Sequence, residues 1–455
     1  MTAEHPFFAA LAGNGHVLSR DFTTVRDMTS GWLEQLVKRG IVYAITTNPT
    51  SNDMVYASEP GLREKMRTLV AGGMRDATRI YDELFINSII VPATAILEPV
   101  NRRMMGIAYE RKSRRVVLQK ETRFLHGYAS YEFRHVFTKD PVVKREEDVI
   151  AAIAEIMRLS HLIMEKTGRK NFFIKVPATP AGIEAGARAI SMGYNINFTL
   201  VASRKQYEAT VEAAVRGKRD YAAGRGAGVL GQLRAVNDAK VRAAVARHEA
   251  LVGVLPEVPD PGSEIGAESV SSDFVSRTDR VLDPLLLKAG RNDLVGKAGI
   301  AYVKAAIYPV FEAYFMEDAA KHLLGETWQQ FAQRTGSRIQ QIYWGSTGVK
   351  DANGAYTTDP KYTGQLKAPG TTNTAPPEVI DALSSMPVEQ MPFDASLTIW
   401  DNRDVAARVL EEIAGLGIDI EARLHQVYLD GLASFAKSDA ATFQKIEADI
   451  VNCVT

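Results

Sequence analysis

The sequence contains a single cysteine, Cys453, among its 455 residues. One thiol cannot form a disulfide within the chain, which excludes a disulfide-stabilised fold and leads us to expect a reducing, cytoplasmic location. An excess charge of either sign is also lacking, because 54 Lys and Arg residues balance 54 Asp and Glu residues. Zero net charge gives no electrostatic reason to expect a nucleic acid or an anionic membrane as a partner.

Long apolar runs and metal-ligand patterns are lacking as well. No run approaches the roughly 20 apolar residues that a membrane helix needs. The first residues, MTAEHPFFAALAG, lack the basic and apolar regions of a secretory signal. The eight histidines show no close spacing typical of a metal site. We therefore expect a soluble protein without a metal.

Short strand-like runs alternate with longer amphipathic helical stretches. This order predicts an α/β protein with a parallel sheet, and the length accommodates a (β/α)8 barrel of about 250 residues with extra helices. We expect one domain over 1–455, with insertions at about 88–127 and 222–266. The clearer strand candidates are GIVYAIT (40–46), YASYEF (128–133), FFIKV (172–176), NINFTL (195–200), SVSSDFV (269–275) and IQQIYWGS (339–346).

Two glycine-containing motifs do not carry nucleotide chemistry. GAGVLG (226–231) is formally a G-x-G-x-x-G, but it follows a helical stretch rather than a strand, which argues against a dinucleotide site and a nicotinamide oxidoreductase. We interpret it as a plain glycine-rich turn. GSTGVK (345–350) lacks the spacing of a phosphate-binding P-loop.

A lysine interrupts the apolar run in NFFIKVPATPAG (171–182). Strand alternation places Phe173 and Lys175 on one face, which in a barrel is the inner one. Pro177 cannot extend the hydrogen-bond ladder, so we expect Lys175 at the carboxyl end of its strand, where barrel enzymes keep their chemistry. Desolvation there would favour a nucleophilic amine. Alternatively, the lysine neutralises a neighbouring carboxylate.

Other strands deliver polar side chains to the same end of the predicted barrel. A carboxylate, amides and hydroxyls around one lysine suit Schiff-base chemistry on a carbonyl compound. Ordinary polar layering inside a barrel is the alternative. The three sets are Tyr128, Ser130 and Glu132 in YASYEF, Asn195, Asn197 and Thr199 in NINFTL, and Thr46, Thr47 and Asn48 in GIVYAITTNP.

Eight segments resemble transaldolase, a family of Schiff-base enzymes built on a (β/α)8 barrel. They occur in family order and, with the intervening chain, cover most of the sequence; IKVPAT and TTNP are the most diagnostic pieces. The segments are TSGWLEQLVKRGIVYAITTNPT (29–50), YASYEF (128–133), NFFIKVPATPAGIEA (171–185), NINFTLVAS (195–203), SVSSDFVSRTD (269–279), GKAGIAYVK (296–304), IYWGSTGVKD (342–351) and GTTNTAPPEVIDAL (370–383).

The resemblance implies four catalytic residues. Lys175 would form a Schiff base with the C2 carbonyl of a ketose phosphate, and Glu132 would exchange protons through a water. Asp21 would take the proton of the C4 hydroxyl, and Thr199 would help to hold the water. Asp27 competes with Asp21, because the spacing from Asp21 to the TSG motif differs by about one residue from the usual pattern.

The resemblance also implies a substrate-binding set. Amide and hydroxyl groups would hold the three-carbon unit, an aromatic ring would line the pocket, and the basic and hydroxyl groups that follow would bind the substrate phosphate. The residues are Asn48, Asn197, Ser272, Phe274, Arg277, Ser346 and Lys350. Asp273 departs from the family pattern, and alternation predicts that its side chain points out of the pocket.

The implied activity is transfer of a dihydroxyacetone unit from sedoheptulose 7-phosphate or fructose 6-phosphate to an aldose phosphate, as in the pentose phosphate pathway. No cofactor is expected, sugar phosphates are the expected partners, and a homodimer is left open. The alternatives are a related enzyme of a specialised pathway with another acceptor, a lyase that releases free dihydroxyacetone, and a binding protein on an inactive barrel. We expect both insertions at the amino-terminal face, away from Lys175.

Overall fold

The computed structural model describes residues 5–13, 15–103, 107–110, 115–118, 126–134, 140–252, 267–351, 353–391 and 398–454. Eight parallel strands close into a barrel, and two further strands form a separate antiparallel pair. The strands are β1 (His16–Arg20), β2 (Val42–Thr46), β3 (Ile107–Glu110), β4 (Arg115–Leu118), β5 (Tyr128–Glu132), β6 (Phe172–Pro177), β7 (Ile196–Val201), β8 (Ser269–Phe274), β9 (Gln341–Gly345) and β10 (Thr371–Ala375). Around the barrel the order is β1-β10-β9-β8-β7-β6-β5-β2.

Helices surround this barrel. Short π-helical segments at Ile86–Ile90 and Val303–Ile307 interrupt the helical layer. The α-helices are α1 (Pro6–Gly13), α2 (Val25–Thr29), α3 (Trp32–Lys38), α4 (Pro49–Ser58), α5 (Pro60–Ala71), α6 (Ala77–Phe85), α7 (Val91–Arg103), α8 (Glu146–Thr167), α9 (Pro180–Ser191), α10 (Arg204–Ala222), α11 (Gly226–Arg234), α12 (Ala239–Val252), α13 (Ser276–Lys288), α14 (Ala298–Tyr302), α15 (Tyr308–Phe315), α16 (Lys321–Leu324), α17 (Trp328–Thr335), α18 (Lys361–Gln365), α19 (Pro377–Ser385), α20 (Arg403–Gly415) and α21 (Ile420–Val454).

The predicted α/β class and the (β/α)8 barrel are confirmed, although β1 and β10 were not among the clearer strand candidates and β6 extends one residue beyond its predicted end. Strand β10, sequence TTNTA, was not among the strand candidates because it lacks apolar alternation; its threonines and asparagine are nevertheless buried. Strand β6 continues through Pro177, which pairs with Thr199. The expectation that Pro177 cannot extend the ladder was wrong, because Ala178 N–H donates to the Thr199 carbonyl at 2.8 Å. Lys175 nevertheless lies near the carboxyl end of β6, which ends at Pro177.

Side-chain alternation sorts the barrel strands into an inner and an outer face, as predicted. Tyr128 and Phe173 stack inside the barrel with ring centroids 4.5 Å apart, in an apolar layer with Ala44, Val270 and Tyr343. The outward residues of the same strands, such as Tyr131, Ile174 and Phe198, join the core between the sheet and the helices. The inner apolar layer therefore closes the barrel beneath the polar groups at its carboxyl-terminal end.

The two segments predicted as insertions contain several structural elements. Residues 88–103 are helical and contact β2 and β5, with Ile89, Ile90 and Leu97 fully buried, and the β3–β4 pair follows. In the second segment, α11 and α12 pack on α9 and α8, and GAGVLG begins a helix rather than the expected turn. Tyr194, just before β7, contacts His248 of α12, so this contact lies at the amino-terminal end of the barrel.

One continuous helical segment among the described residues, Ala77–Asn101, is long and apolar enough to cross a membrane. Its mean hydropathy reaches 1.4, but 67% of that stretch is buried inside the protein. Ile86, Ile89 and Leu97 are completely buried within it. The segment is therefore packed as a core helix of the barrel, which explains its apolar composition.

Asp273 lies on the outer face of β8, as alternation predicted. It is 2% exposed, accepts a hydrogen bond from Ser271 Oγ, and is close enough to Tyr207 of α10 to interact with it electrostatically. Burial raises the pKa of Asp273 to about 8, and the bond from Ser271 opposes this rise only in part. The folded protein therefore binds this proton far more tightly than the unfolded chain.

We expect Asp273→Asn to gain stability relative to the wild type as the pH rises. A carboxyl whose pKa is raised by folding loses its stabilising contribution between the unfolded value and the folded value. Between pH 6 and 8.5 the wild type should lose about 2–3 kcal/mol of unfolding free energy relative to the variant. Urea denaturation at both pH values measures this, with the exposed Asp318→Asn as the control. Parallel curves for wild type and Asp273→Asn would contradict the expectation.

Candidate active site

Lys175 and Glu132 form a buried ion pair at the carboxyl-terminal end of the barrel. Lys175 Nζ lies 2.7 Å from Glu132 Oε2 and donates to the Thr47 carbonyl at 2.9 Å. The two residues are paired in register across β5 and β6 and are 5% and 3% exposed. One alternative for Lys175 was that it neutralises a neighbouring carboxylate, and Glu132 is such a carboxylate. Glu132 is also a base placed directly beside the amine.

A chain of polar side chains continues from this pair around the inside of the barrel. Asn197 is opposite Lys175 in the β6–β7 register. Its Nδ2 donates to Ser130 Oγ at 3.1 Å, and its Oδ1 accepts from Ser272 Oγ at 2.8 Å. Side chains of β5, β7 and β8 are therefore joined in one hydrogen-bonded layer beside the ion pair. Thr199 lies two residues beyond Asn197 on the same face and is 3% exposed.

Asp21 follows β1 and faces the same end of the barrel. Its Oδ1 accepts hydrogen bonds from Phe22 N–H at 3.0 Å, Thr46 Oγ1 at 3.3 Å and Asn48 Nδ2 at 3.5 Å. Burial raises the pKa of Asp21, while the positive charge of Lys175 and the Phe22 N–H oppose that rise. Asp21 is therefore a carboxyl group that can exchange a proton close to the positive charge of Lys175.

The competing carboxylate, Asp27, has a structural role. It accepts from the Thr24 N–H at 2.8 Å in the capping box of α2, and Arg20 forms a salt bridge with it at 3.0 Å. Both contacts are made by Asp27 Oδ2, so this carboxylate holds the first turn of α2 and the Arg20 side chain. Of the two candidates, only Asp21 contacts other predicted site residues.

Three cations lie beside this polar pocket. The Arg280 guanidinium donates to Ser346 Oγ at 3.3 Å, and Ser346 Oγ also accepts from Ser276 Oγ at 3.4 Å. Arg277 lies one turn before Arg280 on α13, and Lys350 follows β9. Within the described part of the chain none of the three cations forms a salt bridge, and Arg277 Nε is buried without a hydrogen-bond partner.

The shifts in pKa show how close these cations are to one another. Burial, then the charge of Arg280, lower the pKa of Arg277 to about 10. Burial, then Arg280 and Arg277, lower the pKa of Lys350. Among the described residues these cations repel one another without a salt-bridged carboxylate, and the charges of Tyr356, Asp21 and Glu132 only oppose the lowering of the Arg277 pKa. Such a cluster favours a bound anion, and the first turn of the 13-residue helix α13 adds its dipole. The cluster is therefore suited to a phosphate group.

The long helix α21 covers part of this site. Phe274 lines the pocket beneath the Arg277 guanidinium, which lies 3.8 Å from the ring centroid. Gly431 of α21 faces both: a Cβ there would meet Arg277 NH1 at 3.1 Å, Leu200 Cδ2 at 3.2 Å and Phe274 Cε2 at 3.6 Å. A glycine inside a helix costs roughly 0.5–1 kcal/mol relative to alanine. At Gly431, the absence of a side chain leaves the space that the Arg277 guanidinium occupies, and the helix bears this cost in stability.

Strained backbone surrounds the site. Phe22, Leu200 and Ser346 have positive φ angles of 51°, 61° and 56°, although none is a glycine. Each lies at or just beyond the carboxyl end of a barrel strand, and Leu200 coincides with a register shift between β7 and β8. Residues in this region are disfavoured by about 1 kcal/mol or more, and such strain concentrates at functional sites. The positive φ angles of Phe22 and Leu200 change the direction of the backbone directly after Asp21 and Thr199.

Sequence reasoning gathered most of the site but missed several residues. The structure brings together all eleven predicted site residues at one end of the barrel, in two adjoining groups. Lys175, Glu132, Asp21, Thr199, Asn48, Asn197 and Ser272 form the polar pocket, and Phe274, Arg277, Ser346 and Lys350 form the cationic side, where an anion would bind. Arg280 was missed, although its i+3 spacing from Arg277 is a usable signal. Gly431, and Tyr356, whose ring lies 4.6 Å from Lys350 Nζ, carry no such signal.

The comparison with known proteins agrees with this geometry. Residues 19–446 match the model of the family described as Transaldolase/Fructose-6-phosphate aldolase. A protein named Transaldolase 1 from Streptomyces avermitilis is 29% identical over 378 residues, covering 82% of this chain and 78% of the relative. Proteins named Transaldolase from Mycolicibacterium paratuberculosis and Neisseria gonorrhoeae are 27% and 29% identical, covering 96% and 93% of this chain and 95% and 93% of the relatives.

The chain therefore belongs to the transaldolase/fructose-6-phosphate aldolase family of enzymes, which confirms the resemblance. The match extends from β1 almost to the end of α21, so it includes both the barrel and the helix that covers the anion-binding side.

We expect Gly431→Ala to weaken binding of inorganic phosphate. The added methyl group would displace the Arg277 guanidinium, and a loss of about fivefold, or about 1 kcal/mol, is expected. Isothermal titration measures it. Gly231→Ala is the matched control, because Gly231 is an exposed position in α11 with nothing within 4 Å of an added Cβ. Unchanged phosphate affinity in Gly431→Ala would show that the clearance does not serve the anion site.

Proposed function

We propose that this protein is a transaldolase that transfers a dihydroxyacetone unit through a Schiff base on Lys175. The donor would be sedoheptulose 7-phosphate or fructose 6-phosphate, and the acceptor an aldose phosphate. The observation that carries the proposal is the Lys175 amine, buried 2.7 Å from the Glu132 carboxylate in a pocket that adjoins three cations without salt-bridge partners. A carbonyl-binding amine and an anion-binding cluster together suit a phosphorylated sugar.

In the first half of the reaction, Glu132 takes a proton directly from the Lys175 ammonium across their 2.7 Å contact, and it would exchange further protons through a water as the imine forms. The free amine attacks C2 of the ketose phosphate, and loss of water gives a protonated imine. Asp21 then takes the proton of the C4 hydroxyl while the C3–C4 bond breaks, and the electron pair of that bond moves into the imine. An aldose phosphate leaves, and the three-carbon unit stays on Lys175 as an enamine.

In the second half, these steps run in reverse with another aldehyde. C3 of the enamine attacks the aldehyde carbon, Asp21 returns its proton to the new hydroxyl, and water releases the ketose product from Lys175. The hydrogen-bonded layer of Ser130, Asn197 and Ser272 would hold the hydroxyls of the three-carbon unit in the meantime. The buried position of this layer supports retention of the intermediate until an acceptor arrives.

The family description also names fructose-6-phosphate aldolase, so a lyase that releases free dihydroxyacetone is the second candidate. The relatives named Transaldolase favour the transferase. Release of dihydroxyacetone from fructose 6-phosphate alone, at the rate seen with an acceptor, would instead identify the lyase. A role in the pentose phosphate pathway and a cytoplasmic location follow from the proposed substrates and are part of the same proposal.

Borohydride trapping with fructose 6-phosphate tests the Schiff base. We expect a reduced three-carbon adduct on the peptide that contains Lys175, detected by mass spectrometry. Lys175→Arg should give none, since a guanidinium does not form the imine, while its positive charge still faces Glu132. This control is preferable to Lys175→Ala, which leaves a buried carboxylate without its partner at a cost of about 3–5 kcal/mol. An adduct on another lysine, or none with either donor, would refute the proposal.

The role of Asp21 can be separated from that of Lys175 by the size of the trapped adduct. Asp21→Asn should still form the imine but cleave the C3–C4 bond at least about 100-fold more slowly, the usual scale for loss of a general base. Borohydride should therefore trap the whole hexose phosphate on Lys175. Asp27→Asn, which alters the cap of α2 and the salt bridge with Arg20, should give the three-carbon adduct. The same three-carbon adduct in Asp21→Asn would exclude Asp21 as the base.

A further inference from the structure

A hairpin after β9 reaches over the site. Thr357 N–H donates to the Val349 carbonyl at 2.8 Å, and Asp351 N–H donates to the Ala355 carbonyl at 2.9 Å. Lys350 and Tyr356 are paired across it as an antiparallel bridge. The carboxylate of Asp351 accepts from Ala355 N–H at 2.9 Å and so closes the turn. The hairpin is thus held by its own backbone, and the position of Tyr356 is fixed.

The ring of Tyr356 packs against three residues at the carboxyl-terminal end of the barrel. Lys350 Nζ lies 4.6 Å from the ring centroid, and the Phe22 ring meets it edge to face at 5.7 Å. A Cβ on Gly348 would lie 2.4 Å from a ring carbon, so only glycine fits beneath the ring. Phe22 is one of the strained residues and directly follows Asp21. Tyr356 therefore joins the ends of β9 and β1 above the pocket.

Tyr356 contacts Phe22, the residue after Asp21, and Lys350 of the cation cluster, and it is close enough to Asp21, Arg277 and Arg280 to interact with them electrostatically. The negative charge of Asp21 raises the pKa of Tyr356 beyond the effect of burial, while Arg280 and Arg277 oppose the rise. Asp21 is where the C4 hydroxyl of the donor would lie, and Arg277 is where its terminal phosphate would lie. The half-buried ring thus lies alongside the part of the substrate that becomes the aldose phosphate.

We propose that Tyr356 determines the length of the aldose half of the substrate. This inference depends on the proposed function. From C4 to the carbon that carries the phosphate, counting both, fructose 6-phosphate has three carbons and sedoheptulose 7-phosphate has four. The ring of Tyr356, supported by Phe22 and Lys350, forms a wall beside this stretch, and its position sets how much room the fourth carbon has. Tyr356 acts here as a specificity-determining residue and takes no part in the proton transfers.

The test compares kcat/KM for the two donors in wild type, Tyr356→Phe and Tyr356→Ala, with a fixed acceptor for each. Removing the ring in Tyr356→Ala should raise the ratio of sedoheptulose 7-phosphate to fructose 6-phosphate activity at least about fivefold. Tyr356→Phe keeps the ring and should leave the ratio within about twofold. Loss of the ring's contact with Lys350 affects the phosphate of both donors alike, so it cancels in the ratio.

Tyr221→Ala is the control, because Tyr221 is also half-buried but lies at the end of α10, where it contacts Gly193 just before β7. It should lower the melting temperature without moving the ratio. An unchanged ratio in a folded Tyr356→Ala, a shift toward the shorter donor, or an equal shift in Tyr356→Phe would overturn the role of the ring. A wild-type enzyme that cleaves neither donor would overturn the proposed function and this inference with it.

Discussion

The site depends on one buried ion pair, Lys175 with Glu132, and on the strand register that creates it. Two charges removed from water are costly, and their attraction offsets the cost only when the geometry is close and the remaining valences are satisfied. Pairing of β5 with β6 supplies the 2.7 Å contact, and the Thr47 carbonyl at the end of β2 accepts another lysine proton. A one-residue slip of β6 would turn the lysine into the apolar helix layer and break the arrangement.

Stability and site geometry oppose each other at several positions around this pair. Asp273 is a buried carboxyl with a raised pKa, Leu200 holds a disfavoured backbone conformation, and Gly431 weakens a long helix. A Cβ added to Gly431 would lie 3.2 Å from Leu200 Cδ2 and 3.1 Å from Arg277 NH1, and Leu200 directly follows Thr199. The core of the barrel and its helices must outweigh these local costs, which helps to explain why a small pocket needs so large a scaffold.

The sequence predicts the barrel and the polar pocket because both follow from local patterns. Alternation with period two is enough to put Lys175, Glu132 and Asn197 on one face, and strand-helix order is enough to put those faces in one barrel. Strand β10 escaped prediction because its buried side chains are threonine and asparagine rather than apolar residues. Gly431 and Tyr356 escaped because their roles arise from contacts with residues far away in the chain, which no local pattern encodes.

The two halves of the site differ in how their charges are balanced, and this difference bears on substrate choice. In the pocket, the ammonium of Lys175 is matched by Glu132, so a neutral carbonyl group can approach without displacing an ion. On the other side, Arg277, Arg280 and Lys350 have no salt-bridge partner among the described residues, so an incoming anion would relieve their repulsion. Because the chain has zero net charge, attraction of a phosphorylated sugar must come from this local cluster rather than from the protein's overall field.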